Sequence, residues 1–93
     1  MEPENIYQCL EGLAEQLGIS IRYQDLYDQE LHARSGLCTL RGRHVYIMDR
    51  STSLSDRIRL LSQCLCRMDL EGVYVLPAVR ELLDAARTTL HAD

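Results

Sequence analysis

Apolar side chains recur at helical spacing from residue 5 to residue 17. Ile6, Leu10, Leu13 and Leu17 form one stripe, with Cys9 and Ala14 on its flanks. Gly18 stands just past the last of them, where a left-handed backbone ends a helix at no steric cost to glycine. The period then changes. Ile19-Ser20-Ile21-Arg22-Tyr23 alternates apolar and polar residues and includes β-branched side chains, so it predicts a strand. Residues 24 to 33 are polar and lose clean periodicity. They predict a loop, with room for one helical turn around Leu26-Tyr27.

Two further strand-like runs, Ser35 to Leu40 and His44 to Met48, flank Arg41-Gly42-Arg43. A two-residue turn at Gly42-Arg43 would place glycine at the first central position, where a positive φ is needed. That register pairs Arg41 with His44, Leu40 with Val45, Thr39 with Tyr46, Cys38 with Ile47 and Leu37 with Met48. Cys38, Leu40, Val45 and Ile47 then share one face, expected to lie on the core. Leu37, Thr39, Arg41, His44, Tyr46 and Met48 share the other.

A second helix opens at Ser53, whose spacing from Asp56 suits a capping box with Asp in place of Glu. Leu54, Ile58, Leu61, Leu65 and Met68 form its stripe, and Gly72 is the expected stop. Val73 to Leu76 reads as a short extended link. Pro77 suits the first turn of a third helix, which carries Val79, Leu82, Leu83, Ala86 and Leu90 on one side. The expected architecture is a single α+β domain over residues 1–93. It has an N-terminal helix, a small three-stranded sheet with a tight hairpin, and two C-terminal helices, with helices packed on one face of the sheet.

Composition narrows the chemistry. The 93 residues suit one domain, and all 10 basic residues are Arg. Without Lys there is no Schiff-base lysine and no Walker-type phosphate loop. A net charge of −4 makes nucleic acid a poor partner. No apolar run approaches the roughly 18 residues of a membrane span. Met1-Glu2-Pro3-Glu4-Asn5 is the reverse of a signal peptide's basic start. A cytoplasmic protein without membrane contact is expected, with Cys9, Cys38, Cys64 and Cys66 as free thiols.

No metal, cofactor or catalytic constellation is expected either. Cys64 and Cys66 are the one close pair, and on a helix they point about 200° apart. Cys9 and Cys38 fall at expected core positions, while His32, His44 and His91 lie on different segments. Cys66, on a polar helix face with Ser55, Arg59 and Ser62, is the candidate reactive thiol. Arg59 and Arg67 are near enough in sequence to lower its pKa, yet no His accompanies it. Asp25, Asp28 and Glu30 share a polar loop without a facing acidic pair. Arg34, Arg41, Arg43 and Arg50 cluster around the hairpin. They suit clamping of a phosphate or carboxylate, but solvating the tip and discouraging edge pairing is the favoured reading.

The outer hairpin face points to association. Leu37, Tyr46 and Met48 lie opposite the expected core side, and the third helix presents Val79, Leu83, Ala86 and Leu90. The link Gly72 to Leu76 spans at most about 17 Å, which makes wrapping around the sheet difficult within one chain. These seven residues form the candidate interface of a homodimer.

Two resemblances follow from the residues. Ser35-Gly36-Leu37-Cys38-Thr39-Leu40-Arg41-Gly42, with Tyr74 to Pro77 and Arg80-Glu81-Leu82, resembles a family of small uncharacterised bacterial proteins. Its members share a Gly-Leu-Cys hairpin and a Tyr-x-x-Pro-x-x-Arg segment, over nearly the whole chain, and bring no established activity. The helix ending Leu13 to Ile19, the small sheet and the helix after Ser53-Leu54-Ser55-Asp56-Arg57 also look like the core of ImmA/IrrE-type zinc peptidases. Where that family carries His-Glu-x-x-His, this chain has Ser62-Gln63-Cys64-Leu65-Cys66. Both His ligands are gone, and Gln63 cannot act as the general-base Glu, so peptidase activity is not implied. The expectation is a non-catalytic binding or assembly protein acting as a homodimer or through a protein partner. The alternative is a degenerate metallopeptidase-like or thiol-dependent enzyme remnant using Ser62 and Cys66.

Overall fold

The computed structural model describes residues 1–25 and 36–91, with side chains through residue 89. Helix α1 (Pro3–Gln16) starts with proline in its first turn, where a missing N–H costs nothing, and buries Tyr7, Leu10, Leu13 and Ala14. Gly18 ends the connection at φ +82°, its N–H on the Glu15 carbonyl at 3.0 Å. Strands β1 (Ile19–Gln24), β2 (Gly36–Leu40) and β3 (Arg43–Asp49) form a mixed sheet in the order β1-β3-β2. β1 runs parallel to β3, with Ile21 beside Tyr46 and Tyr23 beside Met48, and β2 runs antiparallel to β3. Apart from Gln24, which extends β1, and exposed Asp25, the segment expected as a loop lies outside the described residues.

The hairpin corrects the expected register. Its turn is Arg41-Gly42, with φ +53° and +79°, so that Leu40 pairs with Arg43, Cys38 with Val45 and Leu37 with Tyr46. Positive φ at both central residues defines a turn whose twist matches the strands. Gly42 meets that requirement freely, whereas a left-handed backbone costs Arg41 about 1–2 kcal/mol. Every expected pair slides by two positions, which preserves the grouping of residues by face.

What reverses is the face that meets the core. Tyr46 (4% exposed) and Met48 (0%) join Ile19 in the buried cluster, with Ile21 and Tyr23 packed against it. The parallel register with β1 puts these side chains on one side, where the rings of Tyr46 and Tyr23 bring large apolar surface to the core. None of Cys38, Leu40, Val45 and Ile47 belongs to the cluster. They share the other face of the sheet with Ser20 and Arg22, where Val45 is nonetheless buried.

Helix α2 (Leu54–Leu65) is capped by Ser53, whose hydroxyl accepts the Asp56 N–H at 3.3 Å. It stops at Leu65 rather than running toward Gly72. Arg67 N–H reaches only back to the Cys64 carbonyl and Met68 N–H to that of Leu65, bonds that tighten the chain out of the α-helix. The Asp69 carboxylate then takes the Glu71 N–H at 3.0 Å, fixing a turn. Helix α3 (Pro77–His91) begins at proline, as expected, and the Arg80 N–H closes its first bond on Leu76. Val79 and Leu83 enter the same core cluster as Leu10, Leu61 and Leu65. The five-residue link therefore suffices for α3, because α3 packs beside α1 and α2 rather than around the sheet.

Candidate functional site

Ser62 and Cys66, the proposed remnants of a catalytic helix, are both buried. The Cys66 thiol donates to the Gln63 carbonyl at 3.3 Å. Arg87 of α3 donates its Nε and Nη2 to the Cys66 carbonyl at 3.3 and 3.1 Å. The C-terminal half of the helix face that reads as polar in the sequence, Ser62 and Cys66, is thus turned into the seam with α3, while Ser55 and Arg59 stay exposed. Small side chains permit that close approach, and this corrects the placement of Cys66 as a surface thiol. The Ser62 hydroxyl is buried without a hydrogen-bond partner among the described residues. Arg59 turns to Asp56 at 3.4 Å, and Arg67 lies near Cys64. Burial pushes the Cys64 thiol pKa up, with Arg67 opposing only in part.

The seven candidate interface residues separate. Tyr46, Met48, Val79 and Leu83 are core residues of the single chain, and Ala86 is half-buried against that core. The bulk that suggested an exposed apolar face is what turns that face inward. Among those whose side chains are described, Leu37 alone is solvent-facing, at 40% exposure, beside a cleft it shares with Tyr46, Leu60, Cys64 and Met68. The side chain of Leu90 lies outside the described residues, as do those of His32 and His91 and all of Asp28, Glu30 and Arg34. Among the described residues no three His, Cys, Asp or Glu side chains converge.

Cys9 and Cys38, expected in the core, are only half-buried. Cys9 opens onto a groove of about 340 Å³ between α1 and the Val73–Leu76 link. Gly12, Leu13 and Gln16 continue the α1 wall, and Tyr74, Val75, Leu76 and Val79 form the other. The lip is apolar and uncovered: Tyr74 is 78% exposed and Leu76 37%. Gly12 keeps the α1 wall low, since a Cβ built there would meet nothing within 4 Å. Its signal was present in the sequence as a glycine inside a strong helical period.

A second cluster the sequence pattern did not reveal joins α1, β1 and α2. The Tyr23 hydroxyl donates to Glu11 Oε2 at 2.7 Å, which leaves Tyr7 as donor to the Tyr23 oxygen, also at 2.7 Å. The Arg57 guanidinium carbon stands 4.9 Å from the centre of the Tyr23 ring. Arg57 also donates to the Arg50 carbonyl at 2.8 Å, and Arg50 to the Tyr23 carbonyl at 3.3 Å. Arg50 is thereby separated in role from Arg41 and Arg43, which instead share a depression with Arg22. No family model, curated protein or solved structure matches this chain.

Proposed function

We propose that this chain is a non-catalytic binding and assembly protein that self-associates through the groove between α1 and the Val73–Leu76 link. Gly12 carries the reading. A glycine in a helix interior destabilises it by about 1 kcal/mol relative to alanine. Among the described residues no neighbour occupies the space a Cβ would take, and the residue is not among the positive-φ glycines. Close approach of something from outside accounts for it. Tyr74 supplies the matching projection, an exposed ring at the edge of the same groove. A knob and a hole on one patch are what a two-fold interface requires, each copy inserting its Tyr74 into the other's groove. Burial of Ser62 and Cys66, with the Cys66 thiol held on the Gln63 carbonyl, supports binding over the enzyme-remnant alternative.

Light scattering of the full chain at micromolar concentration tests this. A dimer mass is expected, shifted toward monomer by Gly12→Leu, which fills the groove, and by Tyr74→Ala, which removes the knob. Labelling of Cys9 should slow as protein concentration rises, while that of Cys38 should not. A monomer mass for the native chain overturns the proposal. So does a dimer that both variants leave intact.

A further inference from the structure

The open face of the sheet gathers three arginines at one end. Alternation along the strands puts Ser20 and Arg22 of β1, Leu40 of β2, and Arg43 and Val45 of β3 on the same side. With Arg41 from the turn, these six residues line a depression of about 740 Å³. No carboxylate is among them. The ion pairs of the described residues are Arg59 with Asp56 and Arg87 with Asp84, so Arg22, Arg41 and Arg43 are unpaired there.

Folding does not account for this arrangement. Three guanidiniums around one depression repel each other, and a chain with net charge −4 has acidic side chains to spare for pairing them. Arg41 occupies the first central position of a turn that favours Asn, Asp or Gly, at φ +53°. An asparagine there would suit the backbone better. Protection of a sheet edge explains Arg22 on the edge strand β1, but not Arg43, which sits on the central strand β3 and faces the same depression.

The chemistry selects the ligand. A guanidinium is always charged and its planar fork matches two oxygens of a phosphoryl group. Three of them exceed what one carboxylate can satisfy and suit a phosphate, which carries close to two charges at neutral pH. Leu40 and Val45 form an apolar floor beside them. Among the described residues no aromatic ring lines the depression to stack on bases, and the net negative chain opposes a long polyanion. We propose that Arg22, Arg41 and Arg43 form a binding site for a small phosphate-bearing molecule, its phosphoryl oxygens on the guanidiniums and its less polar body over Leu40 and Val45. The site is remote in composition from the Gly12 groove and does not depend on self-association.

Titration calorimetry and thermal denaturation of the full chain with inorganic phosphate and pyrophosphate test it, with sodium chloride at matched ionic strength as reference. Pyrophosphate should raise the melting temperature beyond the salt reference. Arg22→Gln and Arg43→Gln should each weaken binding about tenfold or more, the loss of a charge-assisted contact. Arg41→Asn should raise the melting temperature without ligand and weaken pyrophosphate binding, a split that a purely structural arginine would not produce. A pyrophosphate shift no larger than that of salt overturns the site, as does an unchanged affinity in the Arg22→Gln, Arg43→Gln double variant. Tighter binding of a single-stranded oligonucleotide than of pyrophosphate overturns the small-molecule assignment.

Discussion

Individual side chains report their surroundings most directly when they titrate or react. Desolvation raises the pKa of both Tyr7 and Tyr23, and for Tyr23 the hydrogen bonds to Tyr7 and Glu11 add to it. A free tyrosine ionises near pH 10. Because the folded values lie higher, the unfolded chain loses these protons first. Their contribution to stability is therefore complete below about pH 10 and is lost as pH rises through the folded values. Urea denaturation at stepped pH should show stability falling above about pH 10, and Tyr23→Phe should flatten that fall. At neutral pH the same variant should cost about 1 kcal/mol, the hydroxyl's bond to Glu11. The thiols give a second check. Cys66 is buried and engaged, so a bulky thiol reagent should reach Cys38 under native conditions and Cys66 only on unfolding. Prompt labelling of Cys66 would mean that the α2–α3 seam opens. The sequence could not reveal this ordering. Cys66 sits among Ser55, Arg59 and Ser62, a polar stretch by composition, and the fold buries Ser62 and Cys66 while leaving Ser55 and Arg59 exposed.

Elements were legible wherever a local signal sets them. The period of α1, the Ser53 cap and Pro77 each act within a few residues, and each appears where the pattern puts it. Ser53→Ala should destabilise the fold by about 1 kcal/mol, measured as a lower urea midpoint at constant slope, because the Asp56 N–H loses its acceptor. Ends fixed by competing bonds were not legible. Leu65 and Met68 share a stripe, yet the Asp69 carboxylate and the tightened turn at Arg67 end α2 first. The hairpin shows the same limit at the next level. Glycine fits either central position of a two-residue turn, so Gly42 alone does not say whether Arg41 or Arg43 is its companion. The strained choice, with Arg41 left-handed, is the one that lets Tyr46 stand opposite Leu37. The candidate binding surfaces were legible only in part: Arg41 and Arg43 by proximity in sequence, but not the Gly12 groove, whose other wall, Tyr74 to Leu76, meets α1 only through the tertiary fold. Arg22 joins Arg41 and Arg43 only through the parallel pairing of β1 with β3.

At the scale of the whole molecule, one question decides the layering: which side of a two-faced sheet the three helices cover. Alternation divides β3 into two sets without ranking them, and both sets are apolar enough to serve. The ranking comes from the parallel partner strand. Ile19, Ile21 and Tyr23 lie beside His44, Tyr46 and Met48, so β1 can add its apolar side only to the Tyr46 and Met48 set. Its other side, with Ser20 and Arg22, would put a charge into the core, at a cost no apolar gain on β2 repays. Adjacent residues of β3 test this layering without altering the surface elsewhere. Met48 is wholly buried in the cluster, whereas Ile47 is half-buried on the open face and lies outside it. Met48→Ala should then cost about 2–5 kcal/mol by removing core contacts and leaving a cavity. Ile47→Ala forfeits only the covered part of its side chain, roughly 1 kcal/mol. For a domain of this size each kcal/mol lowers the melting temperature by about 4–8 °C, so calorimetry separates the two variants readily. If the helices covered the other face, the order would invert, with Ile47→Ala the more damaging change. The depression around Arg22, Arg41 and Arg43 would then be interior and unable to take a ligand.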